Sequence, residues 1–262
     1  MGIKIFHVDA FTDKPFSGNP AAVCLLKSMP GAAWMQALAA EMNLSETAFV
    51  VPGKNGFRLR WFTPATEVEL CGHATLASAH ALWECGAVKK AEIKFHTLSG
   101  RLTAARAGDW IELDFPARPQ KSAAAPAGLA RALGKEPLAV SRSGPYYIAE
   151  FRDEKAVRAL APDFEALKRI PMLDVAVTAR GSGRPYDFVS RVFAPAEGVN
   201  EDPVTGSAHC GLAPYWAARL GKAEFLARQV SRRGGTLRLL LRGDRVKLMG
   251  RAVTVSSGEI AL

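Results

Sequence analysis

One plan occurs twice in this chain, and it leaves few folds open. Arg60-Trp-Phe-Thr-Pro64 leads through a loop to Cys71-Gly72-His73 and a run with no charged residue as far as Trp83. Arg191-Val-Phe-Ala-Pro195 leads through a slightly longer loop to Thr205-Gly206-Ser207 and a second run with no charge before Arg219. A helix whose every side is apolar or small is a core element, since it has no face to give to water. A motif that returns after about half the chain points to two similar domains, not to a solenoid of many units. Each domain is therefore expected to enclose one buried helix, near residues 72–85 and 206–220.

Short strand signals surround both helices. Residues 3–8 alternate and 21–26 are apolar throughout, with the turn-forming Ser17-Gly18-Asn19-Pro20 between them. Met35, Leu38, Ala39 and Met42 fall at helical spacing, with Ser28 as candidate cap and Asn43 as stop. Asn55-Gly56 separates apolar runs at 49–51 and 57–61 as a hairpin turn does. Strands are expected at 92–96, 101–105 and 110–115. Residues 116–126 carry no aromatic or branched aliphatic side chain and read as an interdomain linker. The second half repeats the same element types, and four short strands are expected from Gln229 onward. The expected domains are 1–117 and 127–250, with 251–262 a final strand that the pattern assigns to neither. Pro214 falls inside the second central helix, where it removes a backbone hydrogen bond.

The chain has 262 residues, 48% of them hydrophobic, enough to build real cores. Its formal charge is +9, but the basic residues are scattered and never form a run longer than a pair. Such a pattern is a solvated basic surface, suited at most to attracting a small anion and without the footprint of a nucleic-acid binder. Cys24, Cys71, Cys85 and Cys210 form neither a Cys-x-x-Cys pair nor a dense framework, which fits a reducing compartment and no structural zinc. There is no leader-like apolar segment and no run approaching the roughly 18 to 20 residues that span a bilayer. The expectation is a cytoplasmic protein with neither membrane nor nucleic acid as partner.

If two domains face each other, the starts of their buried helices can share a cleft and hold a carboxylate substrate through backbone N–H groups. The nearby groups able to move a proton are Cys71 and His73 at the first helix, Glu201, Asp202, Thr205, Ser207 and His209 at the second, and Glu46 in Asn43-Leu-Ser-Glu-Thr-Ala-Phe49. A carboxyl enclosed in a dry cleft has the charged form disfavoured, and can then act as base and acid near neutral pH. Each residue taken singly also has a plainer reading: Glu46 as a solvated residue before a strand, His73 as a histidine bonded to backbone, Asp202 and Ser207 as loop and cap residues.

Four segments together resemble the signatures of the PhzF-like (phenazine biosynthesis-like) isomerases. They are Val8-Asp-Ala-Phe-Thr-Asp-Lys-Pro-Phe-Ser-Gly-Asn-Pro-Ala-Ala-Val23, Asn43-Leu-Ser-Glu-Thr-Ala-Phe49, Arg60-Trp-Phe-Thr-Pro through Cys71-Gly-His-Ala-Thr-Leu-Ala77, and Glu201-Asp-Pro-Val-Thr-Gly-Ser-Ala-His209. The resemblance implies an α+β fold of two pseudo-symmetric domains, each a mixed β-barrel around a central α-helix, as in diaminopimelate epimerase. It also implies a homodimer with no cofactor and no metal. By this resemblance Glu46 shuttles a proton, as a glutamate does in relatives that isomerise a dihydro-hydroxyanthranilate. His73, Asp202 and Ser207 then polarise and position the substrate, and Gly72 and Gly206 offer helix-start backbone groups, with Asn19 a further candidate for substrate binding. On the same fold, a racemase or epimerase needs one thiol on each side of the substrate carbon. Cys71 occupies one such place, but its repeat counterpart is Thr205, which favours a carboxylate-based isomerisation. A non-catalytic protein that only binds a small acid is the alternative of another class.

Overall fold

In chain order the elements are β1 (Ile3–Ala10), β2 (Asn19–Leu25), α1 (Ala32–Met42), β3 (Glu46–Gly53), β4 (Gly56–Phe62), β5 (Glu67–Val68), α2 (Gly72–Glu84), β6 (Glu92–Thr97), β7 (Gly100–Ala107) and β8 (Trp110–Pro116). There follow β9 (Lys121–Ser122), α3 (Leu129–Leu133), β10 (Ala139–Ser143), β11 (Tyr146–Glu150), α4 (Glu154–Arg158), α5 (Phe164–Lys168), β12 (Asp174–Gly183), β13 (Tyr186–Ala194), β14 (Val199–Asp202), α6 (Gly206–Leu220), β15 (Glu224–Gln229), β16 (Gly235–Arg242), β17 (Arg245–Gly250) and β18 (Ala252–Ile260). The computed structural model describes residues 2–171, 174–183 and 185–261. Met1 and Leu262, the outer ends of the expected first domain and final strand, lie outside the described residues. The chain divides into two units: residues up to Asp114 together with those from Met249 onward, and Phe115–Leu248.

In the first unit β1 pairs antiparallel with β2, β2 parallel with β3, β3 antiparallel with β4, β4 antiparallel with the short β5 and parallel with β6, and β6 antiparallel with β7. β18 returns to the far edge of β1. α2 touches β1, β2, β3, β7 and β18, strands from opposite ends of that order, so the sheet curls round the helix. Only Gly72, His80 and Glu84 of α2 are not buried. The absence of charge in the sequence thus has its physical cause: there is no wet face on which to place one. Gly56 allows the close parallel approach of β4 to β6, because a Cβ there would stand 2.2 Å from the carbonyl oxygen of Lys94.

The other face of β2 and β3 is covered by α1. Cys24, Phe49, Val51 and Phe62 pack there against Met35 and Ala39. The helix starts after Gly31, close to where the sequence puts it, but Gly31 and not Ser28 is the N-cap, and it ends at Asn43 in the left-handed conformation, φ 49°. Pro30 holds the residue before it in an extended shape, so helix can form only beyond it.

The second unit repeats the pairing senses one for one. β10 is antiparallel to β11, β11 parallel to β12, β12 antiparallel to β13, β13 antiparallel to the short β14 and parallel to β15, and β15 antiparallel to β16. In place of α1 stand α4 and α5, capped by Asp153 and Asp163, over a cluster that includes Phe151, Val175, Val177 and Phe193. α6 holds the central place, with Trp216 Nε1 donating to Thr178 Oγ1 on β12 at 3.0 Å. Pro214 stays within the helix. Its missing N–H would have bonded the carbonyl of Cys210, and that carbonyl instead accepts from Arg118 N at 2.9 Å. Residues 116–126, expected as a free linker, are therefore tied down within the second unit: Arg118 by this bond, Ala117 by Asp244 O, and Lys121 and Ser122 by pairing with β10. No helix among the described residues is long and apolar enough to cross a membrane.

Candidate active site

The Arg-x-Phe repeat explains itself in space. Arginine and phenylalanine two residues apart share one face of a strand. Arg60 forks onto Glu67 with two bonds of 2.6 Å and lies 5.2 Å over the Phe62 ring. Arg191 does the same with Glu201, at 2.7 and 2.9 Å, and lies 4.9 Å over Phe193. Each fork ties a core strand to the loop that enters a central helix, and so fixes where that helix begins. Glu201, one of the proton-moving candidates in the sequence, is consumed as a bidentate ion-pair partner.

Register places Glu46. Ala21 on β2 pairs with Glu46 on β3, so the two side chains share a face. The neighbours on the opposite face, Cys24 and Phe49, lie under α1. Glu46 therefore points to the α2 side, and Asn19, two residues before Ala21 and fully buried, shares that side. There Glu46 Oε2 lies 2.9 Å from His73 Nε2, and His73 Nδ1 lies 3.5 Å from Cys71 Sγ. Oε2 and Nε2 are both buried, yet neither makes a well-aligned hydrogen bond to the other or to any described residue. Two strong hydrogen-bonding groups left in this state are an exception that calls for a ligand.

Burial opposes a charge on His73, but the sulfur of Cys71 and the carboxylate of Glu46 outweigh it and hold His73 well above its usual range. Burial is also the main force pushing the Cys71 thiol up. The oxygen, nitrogen and sulfur donors lie within 4.8 Å of one another, close enough in distance to share a metal ion. Nδ1 faces the sulfur and Nε2 the carboxylate, so the ring stands between the two other groups, an arrangement that suits proton transfer.

In the second unit the start of α6 is pinned from below. Asp202 Oδ2 accepts a short hydrogen bond from Thr205 Oγ1. Fully buried Gln229 donates to Asp202 O at 2.7 Å and accepts from Thr205 N at 2.9 Å. His209 donates through Nδ1 to Thr205 O at 2.8 Å and accepts from Ser190 at Nε2, 3.3 Å away. It is a neutral structural histidine. Ser207 Oγ lies 2.6 Å from Tyr146 OH, and burial is the main cause pushing the Tyr146 phenol up. Gly72 and Gly206 are the first residues of their helices. Neither helix has a side-chain cap bond at its N-cap or an acid in its first turn; the nearby carboxylates, Glu46 at α2 and Asp202 at α6, come from the neighbouring strands. Cys210 is held inside α6 with its thiol pushed up to about 12 by burial, so it is no counterpart to Cys71.

Sequence reasoning missed two residues of the second unit, Tyr146 and Asp174. Tyr146 opposes Ser143 across the β10–β11 hairpin as Asn19 opposes Ala10 across β1–β2. Asp174 begins β12 as Glu46 begins β3. The repeat, carried down to strand register, was the signal that could have found them.

Solved structures share this architecture. The chain aligns over 100% of its length with 100% of a PhzF-family phenazine biosynthesis protein of Enterococcus faecalis, 41% identical, TM-score 0.96. It aligns over 99% with 99% of a Pseudomonas aeruginosa protein described as a predicted epimerase, 25% identical, TM-score 0.78. The class is thereby defined: an isomerase of α+β architecture with the diaminopimelate epimerase-like fold. Residues 8–258 match the PhzC-PhzF family, described as phenazine biosynthesis-like protein, and the whole chain is 52% identical to the whole of an uncharacterized isomerase of Halalkalibacterium halodurans. The chain belongs to the PhzF-like family.

Proposed function

We propose that the protein isomerises a small carboxylated substrate by moving a proton between two of its atoms, without a cofactor, and that Glu46 carries the proton. The observation that bears most weight is the buried pair Glu46 Oε2 and His73 Nε2, 2.9 Å apart but without a well-aligned hydrogen bond. In this reading the Glu46 carboxylate takes a proton from a substrate carbon, and the electrons of that C–H bond pass into the adjoining unsaturated system. The protonated carboxyl, whose proton can exchange with solvent at this stage, then delivers a proton at the second position, and the enzyme is unchanged. The imidazolium of His73 faces the charge that develops during the transfer, which is the kind of fixed electrostatic support most effective in a dry site. Asp202, Ser207 and the helix-start backbone at Gly72 and Gly206 are assigned to holding the substrate's anionic group, with Asn19 a further contact.

The contact of Cys71 with His73 keeps one other reading in play, a thiol-based epimerisation. Both are tested by incubating the wild-type protein with cyclic and amino acid candidates in D2O and following deuterium uptake by NMR. Glu46→Gln is expected to lower exchange at least 100-fold, the upper range for losing a general base, while Cys71→Ser retains most of it. The opposite pattern assigns the chemistry to the thiol, and the absence of exchange with every ligand that binds leaves a binding protein.

A further inference from the structure

The parallel register of β11 with β12 sets Asp174 beside Tyr146, side chains on one face. That face is the α6 side. The alternate residues, Val175 and Val177, are buried under α4 and α5, whereas Ala176 packs with Ala208 of α6 and Thr178 bonds Trp216. Asp174 is 5% exposed, and its Oδ1 is buried with no hydrogen-bond partner among the described residues. Its phenolic neighbour reaches Ser207 Oγ at the first turn of α6. An unpartnered carboxyl oxygen thus lies on the α6 side of β12, abreast of the tyrosine whose hydroxyl reaches the first turn of α6.

We propose that Asp174 is an anion-receiving residue: a carboxylic acid that keeps its proton and offers it, beside Tyr146 and Ser207, to the carboxylate of a small ligand. This deepens the reading given above, since it takes the substrate to be a carboxylate. The surroundings favour the neutral acid. Burial is the first cause, and the carboxylates of Glu197, in the turn after β13, and Asp202, on β14, add to it, so that Asp174 is raised to about 7. Tyr146 on β11 faces Asp174 itself and Asp202, with Arg118 as a cation acting on it. A carboxyl that titrates at about 7 keeps a sizeable protonated fraction near neutral pH, and in that form it is a hydrogen-bond donor, which an ionised one cannot be. The proton stays with Asp174 when ligand binds, and nothing else is exchanged.

The test uses benzoate as a plain cyclic carboxylate. The Asp174 carboxyl carbon, identified by its loss in Asp174→Asn, is followed by 13C NMR, and benzoate affinity is measured by titration calorimetry from pH 6 to pH 8. Titration near 7 makes the acid form about tenfold scarcer across that range, so wild-type affinity should fall about tenfold. Asp174→Asn keeps an N–H donor and should bind with little dependence on pH, while Asp174→Val should bind weakly throughout. A merely structural role would leave the slope of the pH profile the same in wild type and Asn variant, and that result, or no benzoate binding at all, overturns the proposal. Because binding needs no turnover, a missing isomerase activity with the expected benzoate profile would sink only the catalytic reading. Normal deuterium exchange with an unchanged slope would sink only this one.

Discussion

Replacing Arg191 by methionine keeps the alkyl stem over Phe193 and removes the fork. Two effects follow from the geometry. The Glu201 carboxylate, 19% exposed, loses a partner that is itself only 11% exposed. The carbonyls of Val157 and Leu160 accept from Arg191 Nη1 at 3.2 and 2.7 Å, and both lose that bond, Val157 O keeping only its backbone N–H partners. Breaking a largely buried pair from one side costs about 3–5 kcal/mol. Arg60 in the first unit is the built-in control, because its fork to Glu67 is the same but the two partners are 23% and 24% exposed. Between exposed pairs at about 0.2–1 kcal/mol and buried ones, Arg60→Met should cost about 1–2 kcal/mol. At about 2–4 °C per kcal/mol for a protein of this size, the two variants should differ by several degrees in midpoint. Urea and thermal unfolding of both single variants, and of Arg191→Met with Glu201→Gln, give the comparison. The double variant should be less unstable than Arg191→Met alone, since the orphaned carboxylate is gone. If Arg191→Met proves no costlier than Arg60→Met, the argument from burial and shared carbonyls is wrong.

His209 is held neutral by burial, against a weaker raising effect of the Thr205 carbonyl, with its pKa lowered to about 4. The unfolded chain takes up that proton near 6.5 and the folded one only near 4, so stability from this group is intact above 6.5 and lost as pH falls between the two. The loss should approach about 2–3 kcal/mol at pH 4.5, and His209→Gln should show a shallower decline in urea unfolding over the same range. Gly250→Ala would drive a Cβ to 2.3 Å from Phe11 Cδ1 and 2.7 Å from Leu76 Cδ1 on α2. The expected cost is about 1–3 kcal/mol with a matching fall in thermal midpoint, and an unchanged midpoint would refute the close packing there.

The two central helices were legible because burial leaves a mark on composition: a helix enclosed on every side excludes charge over its whole length, and Gly72 and Gly206 open both. Arg-x-Phe-x-Pro was legible as a repeat but not as a device, because nothing local says that Arg191 spends its fork on Glu201 ten residues later. Glu201 consequently stood among the proton carriers until its partner was visible. Ser28 failed as a cap because Pro30 intervenes. Asp174 and Tyr146 stayed hidden for a different reason. What makes them a pair is a parallel strand register across an intervening pair of short helices, and a single sequence does not state which residues a parallel pairing brings abreast.

The return of β18 to β1 concerns the order in which the molecule can be made. β1 leaves the ribosome before any of the second unit, yet one of its edges finds its partner only when residues 252–260 emerge, after Phe115–Leu248 has been synthesised. Until then the open edge offers unpaired N–H and C=O groups to any other extended chain. The first unit to be translated is thus the last to be finished, and shortening the chain at its far end should undo its beginning.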